Sequence, residues 1–190
     1  MRPLVAIALS VMACGCPSSP SGTDAGADGG TDAFIERTPD AAEGTDGGPM
    51  ACNSVTNVGT AITQTNVATA PVSGAGGVIA PGMYVLTEAV IYTGPTGMTG
   101  PTGLTFTDTV VLAADGSYDR AFSVVGPGAD GTPMYQSGTF TTDGASLTVT
   151  QTCPAGRQPF TSYDSDGTTL RIYSPGDPSF PATMFEYTML

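Results

Sequence analysis

An all-β fold is the class that the sequence predicts for residues 51–190, and three observations lead to it. From about Ala51 onwards the chain is rich in Val, Thr, Tyr and Phe, residues that favour strands. Glycine-containing turns interrupt these segments at short intervals. No window of about 11 residues shows helical periodicity of its apolar residues. We therefore expect an antiparallel up-and-down meander of about eight strands, closed into a small barrel or curled into an open sheet.

The strands are expected between the turn signals, where β-branched and aromatic residues alternate with polar ones. Their predicted ranges are 83–92, 104–113, 117–125, 133–142, 145–152, 158–164, 168–173 and 182–189, with an additional arm near 58–67.

Two Asp-Gly pairs predict tight hairpins, because two-residue type I′ loops favour this dipeptide. Loops at 143–144 and 166–167 would set the following residues opposite each other: Phe140 and Leu147, Gly138 and Val149, Tyr163 and Leu170, and Thr161 and Ile172. Each hairpin then has one apolar face.

A longer loop is expected at Ala114-Asp115-Gly116. A two-residue loop would set Leu112 opposite Asp119 and mix polar with apolar faces. A three-residue loop, with the backbone of Gly116 in the left-handed region, instead pairs Leu112 with Tyr118 and Phe106 with Val124. Together the three hairpins predict an interior lined by Leu86, Phe106, Val110, Tyr118, Phe122, Phe140, Val149, Leu170 and Ile172. The candidates for lining a ligand cavity are Leu86, Phe106, Tyr118, Phe122 and Phe140.

Three charged residues fall on otherwise apolar strand faces: Glu88, Asp108 and Arg120. In the predicted register Asp108 and Arg120 are diagonal neighbours within salt-bridge reach. A buried charge is costly unless it is paired. The two residues could therefore form a structural ion pair or orient a ligand, or their strand face could point outward locally.

Glycine recurs at every third place from Gly94 to Gly103. The run is too short for a collagen triple helix. We expect a loop between the first two long strands, and its length and glycine content make it a candidate flap over one barrel end.

The N-terminus resembles the signal of bacterial lipoproteins. Arg2 precedes an apolar run from Leu4 to Ala13, and the sequence Val11-Met12-Ala13 leads directly into Cys14. The resemblance implies a signal peptide at 1–13, acylation of Cys14 and a lipid-bilayer anchor in the bacterial cell envelope, with the outer membrane as the expected location. Cys16 is the alternative acylation site, and a plain secretory leader is the alternative to a lipoprotein signal.

Residues 14–50 are predicted to be a disordered tether before the domain at 51–190. They are rich in Gly, Asp, Pro and Ser and contain little that could be buried. Acidic residues recur at every fourth place and would repel one another on a helix; they are Asp24, Asp28, Asp32, Glu36 and Asp40. Because their spacing does not match a calcium loop, no metal site is expected.

Cys52 and Cys153 are the remaining cysteines, and we expect a disulfide between them, because disulfides persist in exported proteins. The alternative is two separately buried thiols.

The strand that begins Gly82-Met83-Tyr84-Val85-Leu86-Thr87 resembles the first strand of lipocalins, which opens on a Gly-x-Trp signature. Tyr84 takes the place of the Trp, and Arg171 lies on a late strand where such barrels often have an arginine. The resemblance covers Gly82 to Leu190 and implies a cup for an apolar ligand, with Tyr84 packing in the closed end.

The amino-acid composition of the chain excludes several classes of function. The chain has no His, Lys or Trp, and its net charge is −12. Nucleic acid is excluded as a partner, because phosphates are bound by clustered Lys and Arg. Without His or Lys, no enzyme and no cofactor is expected; the remaining catalytic alternative is a hydrolase using Glu88 and Glu186. We expect a structural or protein-interaction module, or alternatively a cup for a small apolar ligand.

Overall fold

A computed structural model describes residues 52–157, 160–177 and 181–190. Cys14, Cys16, the predicted signal and the predicted tether lie outside the described residues, as does Ala51. Among the residues described, no helix is long and apolar enough to cross a membrane.

The described chain is all-β, which confirms the predicted class, and its strands form one sheet. In chain order the strands are β1 (Ile62–Val67), β2 (Gly76–Val78), β3 (Gly82–Tyr92), β4 (Gly100–Leu112), β5 (Ser117–Gly126), β6 (Ala129–Asp130), β7 (Met134–Asp143), β8 (Ser146–Cys153), β9 (Ala155–Arg157), β10 (Ser162–Asp166), β11 (Thr169–Ser174) and β12 (Ala182–Met189).

The sheet is mixed, so the expectation of a purely antiparallel meander is wrong. β1 lies parallel to β3 and antiparallel to β4, and β2 lies parallel to β10. β3 and β4 pair directly only near Gly82 and Leu112. Further along, the two strands separate and β1 takes the place between them, so the predicted arm at 58–67 is an inserted strand.

Antiparallel pairings run through β10, β11, β12, β3, β4, β5, β7 and β8, and the two ends of this path meet. Ser146 of β8 pairs with Ser162 of β10. Two backbone hydrogen bonds flank this pair: Leu147 N–H donates to the Thr161 carbonyl at 3.2 Å, and Tyr163 N–H donates to the Ala145 carbonyl at 3.2 Å.

The three-residue hairpin between β4 and β5 is confirmed. Leu112 pairs with Tyr118 and Phe106 pairs with Val124. Gly116 has φ +82°, a conformation that glycine adopts without a steric penalty. The Asp115 carboxylate accepts the Ser117 N–H at 2.9 Å and so stabilises the loop.

The predicted pairings of both Asp-Gly hairpins are wrong by two residues. Phe140 lies opposite Val149, and Tyr163 lies opposite Ile172. In each hairpin the aspartate ends the strand and glycine takes the first loop position, with φ +58° at Gly144 and +92° at Gly167. Because side chains alternate with a period of two, a two-residue shift leaves the same residues on the inner face.

Three other boundaries also differ from the sequence expectation. The strand expected at 158–164 begins at Ser162, while residues 158–159 lie outside the described part. The glycine-rich segment is a loop only up to Thr99, because Gly100 and Pro101 already pair with Asn66 and Thr65 of β1. Such hydrogen bonding argues against a freely moving flap over the whole of 94–103.

The main core fills one end of the inner face. Its buried members are Tyr84, Leu86, Ala89, Val110, Leu112, Tyr118, Leu147, Tyr163, Leu170 and Tyr187. Every residue predicted for the inner face except Phe122 belongs to this core or packs against it. A second, smaller cluster joins Val90, Tyr173 and Met184, whose positions alternate with those of the inner-face residues on β3, β11 and β12.

The predicted Cys52–Cys153 disulfide is present, with the two Cα atoms 5.4 Å apart. Beside it, the Asn53 side chain donates hydrogen bonds to the backbone carbonyl of Gln136 at 2.7 Å and to that of Arg120 at 3.3 Å. The segment after Cys52 is therefore held against β5 and β7.

Candidate binding site

A cavity of about 800 Å³ lies at the end of the inner face away from the main core. Four phenylalanines line it, together with Ile91, the Ser174–Asp177 segment, Pro181, Thr183, Arg120 and Gln136. The phenylalanines are Phe106, Phe122, Phe160 and Phe185. Phe185 makes edge-to-face contacts with Phe106 and Phe160, at centroid distances of 5.7 and 6.1 Å. We call this space the mouth cavity.

A second cavity, of about 50 Å³, lies deeper and shares Arg120, Gln136 and Phe160 with the mouth cavity. Its other walls are almost entirely apolar and come from Ile79, Val110, Leu112, Tyr118, Phe140, Leu147, Val149, Leu170, Ile172 and Tyr187. We call this space the deep cavity. The inner face is thus nearly filled at one end and open at the other.

Tyrosines close the filled end. Tyr84 is fully buried, and its hydroxyl donates to the Ala80 carbonyl at 2.8 Å. Tyr163 is 2% exposed and donates to the Gly77 carbonyl at 2.8 Å. Each ring therefore packs in the core while its hydroxyl reaches a backbone acceptor, as buried tyrosines require.

The ion pair expected between Asp108 and Arg120 is confirmed. The hairpin from β4 to β5 sets Asp108 opposite Phe122 and Val110 opposite Arg120, so the two charges meet diagonally. Asp108 is fully buried, and both of its oxygens accept the Arg120 Nε–H at 3.0 Å. The guanidinium lies 4.2 Å from the centre of the Phe122 ring.

Two further polar groups complete this arrangement. The Tyr187 hydroxyl donates to Asp108 Oδ2 at 2.9 Å, and Arg120 Nη1 donates to Gln136 Oε1 at 3.3 Å. Tyr187 comes from β12, on the side of β4 opposite to Arg120 in the pairing order. The charged pair, which joins β4 to β5, is therefore also held by β7 and β12, and its Arg120 lines both the mouth cavity and the deep cavity.

The pKa values of Tyr187 and Arg120 are both raised in this cluster. Burial raises the pKa of Tyr187, and the neighbouring Asp108 carboxylate raises it further. Burial by itself would lower the pKa of Arg120, but Asp108 outweighs that effect and the net shift is upward. Arg120 therefore stays charged and Tyr187 stays neutral over the physiological pH range.

The predicted cavity-lining residues divide into three groups. Phe106 and Phe122 line the mouth cavity, whereas Tyr118 and Phe140 line the deep cavity. Leu86 is 1% exposed and belongs to the packed core. Sequence reasoning missed Tyr187 and Phe185, because no turn of identifiable type fixed the register of the last strand.

The expectation that Glu88 lies on an apolar inner face is wrong. Glu186 pairs with Glu88 and Tyr187 pairs with Leu86, so Thr87 is an extra residue in a β-bulge. The bulge turns both Thr87 and Glu88 to the exposed side. Glu186 is bound by Arg171, with Nε and Oε2 2.6 Å apart, and Arg171 is 45% exposed.

Glu88 and Glu186 are therefore direct cross-strand neighbours on the outer side of the sheet. Arg171 lies on the exposed face with Glu186, whereas Tyr84 lies in the core. Within the residues that the structure describes, no group of three or more His, Cys, Asp or Glu side chains could hold a metal ion.

Comparison of the chain with protein-family models, with characterised proteins and with solved structures finds no match.

Proposed function

We propose that this protein is an exported, lipid-anchored binding protein whose mouth cavity holds one small, predominantly apolar ligand. The observation that carries the proposal is the mouth cavity itself, about 800 Å³ and lined by four phenylalanines. Ligand sites typically have volumes of about 300–1,000 Å³, mostly apolar walls and a few polar groups that orient the ligand. Arg120, Gln136, Ser174, Asp177 and Thr183 are the polar residues of the lining.

The strand pairings support a small closed barrel of lipocalin-like form around this cavity. The antiparallel path that returns from β8 to β10 contains eight strands, the number at which a barrel interior is filled or holds one small ligand. At the mouth end, β1 adds one more strand between β3 and β4. Barrel diameter increases with strand number, so this insertion explains why one end is wide and the other is filled.

Thr183 offers a direct test of binding, because it lines the mouth cavity. Thr183→Phe should reduce the affinity for the neutral dye Nile red at least tenfold, since the larger side chain occupies the site. The measurement is a fluorescence titration of the full chain carrying Cys14→Ser, which lacks acyl chains that would themselves dissolve dye.

The matched control is Thr188→Phe, on the exposed side of the same strand. It should bind dye as the parent does. If Thr183→Phe binds Nile red as tightly as the parent, or if the parent shows no saturable binding, the proposal of a ligand-binding cavity is wrong. A structural or protein-interaction module then becomes the better proposal.

The anchor is proposed from the lipoprotein-like signal, which leads from Val11 to Cys14. Acyl chains on Cys14 would attach the protein to the bilayer of the bacterial cell envelope. Two or more acyl chains give stable membrane attachment, whereas a single chain gives only marginal binding.

Changing Cys14 to Ser should release the protein from membranes or stall removal of the signal. Fractionation of cells followed by mass spectrometry of the N-terminus measures both outcomes. Cys16→Ser is the control and should leave the protein acylated and membrane-bound. If Cys14→Ser remains acylated and only Cys16→Ser is released, the acylation site is Cys16; if neither change has an effect, the lipoprotein proposal fails.

A further inference from the structure

The mouth cavity meets the buried ion pair through Arg120 and not through Asp108. Arg120 lines both the mouth cavity and the deep cavity, and 11% of its side chain is exposed. The Asp108 side chain is fully buried and belongs to the described lining of neither cavity. A ligand in the mouth cavity would therefore lie against the cation of the pair, while the carboxylate stays out of contact with it.

Arg120 is fixed in place, and its charge is matched by Asp108. Both carboxylate oxygens accept the Nε–H at 3.0 Å, and Nη1 donates to Gln136 Oε1 at 3.3 Å. The guanidinium also packs on the Phe122 ring, 4.2 Å from its centre. Because the counter-charge lies within hydrogen-bond distance, the pair as a whole offers no surplus positive charge to a ligand.

Other charges do not supply that surplus. In the described lining of the mouth cavity the charged residues are Arg120 and Asp177, so the lining has no cation beyond Arg120. The whole chain has a net charge of −12. A ligand carboxylate would therefore be buried without a counter-ion and inside a strongly acidic protein, which is unfavourable on both counts.

A cationic end group is disfavoured beside the ion pair for a different reason. It would lie against the guanidinium, because Arg120 and not Asp108 lines the cavity. An uncharged apolar molecule meets neither penalty and can pack between the phenylalanine rings of the lining.

We propose that the buried Asp108 determines the charge of the ligand: by neutralising Arg120 from behind the cavity wall, it restricts the mouth cavity to uncharged apolar molecules. This inference rests on the proposed binding function and narrows its ligand class. Asp108 acts through Arg120 and does not contact the ligand, so its role is to set selectivity.

Asp108→Asn should reverse the selectivity. Asn conserves the size of the side chain but leaves Arg120 without a counter-charge, so a ligand carboxylate in the mouth cavity can take that role. The affinity for octanoate should rise about 10- to 100-fold over that of the parent, the effect of one hydrogen bond between charged groups. The affinity for 1-octanol should change by less than about threefold, because an uncharged ligand is no counter-ion.

The measurement is displacement of Nile red from the full chain carrying Cys14→Ser, with 1-octanol, octanoate and octylammonium as probes of equal chain length. In the parent, 1-octanol should bind at least about tenfold more tightly than either charged probe. Adding Thr183→Phe to Asp108→Asn should remove the gain in octanoate affinity, because Thr183 lines the mouth cavity.

Glu186→Gln is the matched control, because it neutralises the carboxylate that pairs with Arg171 on the exposed side of the sheet. It changes the net charge by the same amount and should leave octanoate binding as weak as in the parent. An equal gain in Glu186→Gln would show a general effect of net charge and would overturn the role of Asp108.

Circular dichroism accompanies each titration, since Asp108→Asn also removes a stabilising ion pair. If this variant is unfolded by itself, octanoate should restore its β-sheet spectrum and 1-octanol should not, because a ligand stabilises the folded state that binds it. Restoration by neither probe overturns the proposal.

The proposal is also overturned if the parent binds octanoate or octylammonium as tightly as 1-octanol, or if folded Asp108→Asn gains no affinity for octanoate. In these cases saturable dye binding still supports the ligand-binding cavity. The absence of saturable dye binding in the parent overturns both the cavity and the selectivity.

Discussion

Replacing Asp108 by Asn is expected to lower the free energy of unfolding by about 3–5 kcal/mol, the usual cost of removing one partner of a buried ion pair. Asp108 is fully buried and receives hydrogen bonds from both Arg120 and Tyr187. The substitution conserves size, so the loss comes from the Arg120 charge left in the interior without a counter-charge. Urea denaturation of the parent and of the variant measures this difference in the free energy of unfolding.

Glu186→Gln is the matched control, because it neutralises the carboxylate of the exposed pair with Arg171. Exposed ion pairs contribute about 0–1 kcal/mol, so the control should unfold almost as the parent does. A double variant, Asp108→Leu with Arg120→Met, removes both charges and should be more stable than Asp108→Asn. A loss below about 1 kcal/mol for Asp108→Asn would contradict the structural importance of the buried pair.

Removing the disulfide is expected to have a comparable effect. Cys52 and Cys153 are separated by 101 residues in the sequence. Closing a loop of this length stabilises the folded state by about 4–5 kcal/mol in the chain-entropy model, because it restricts the unfolded chain. Cys52→Ser combined with Cys153→Ser should lower the free energy of unfolding by this amount.

The comparison uses urea denaturation under oxidising conditions. Reduced parent protein is the control and should match the double serine variant, since both lack the covalent link. If the double variant is as stable as the oxidised parent, the disulfide contributes nothing to stability. If only reduction destabilises the chain, the effect does not come from this disulfide.

The buried ion pair shows how far local sequence signals can reach. The sequence of Ala114-Asp115-Gly116 determines a three-residue loop, and this loop places Asp108 diagonal to Arg120. The hairpin is local, so its register follows from turn geometry and from the alternation of apolar residues. For the other two hairpins the predicted register was wrong by two residues, because an Asp-Gly pair does not indicate which of its residues belongs to the strand. The inner face could still be predicted, since a shift of two preserves the alternation.

Glu88 shows where alternation fails. A single extra residue, Thr87, turns Glu88 outward. A bulge depends on the register with the partner strand β12, which lies almost a hundred residues further along the chain, so no pattern within β3 announces it. The same limit explains why Tyr187 was missed as the second hydrogen-bond donor to Asp108.

The sequence by itself determined the all-β class, the partners in the disulfide, the inner face and the buried ion pair. These features depend on composition, on cysteine number or on hairpins closed by a few residues. Only the tertiary structure decided that β1 inserts between β3 and β4, that the mouth cavity is open while the other end is filled, and that the buried Tyr118 hydroxyl has no hydrogen-bond partner among the residues described. These features depend on pairings between distant segments, whose geometry is set by the packing of the whole sheet and not by any local pattern.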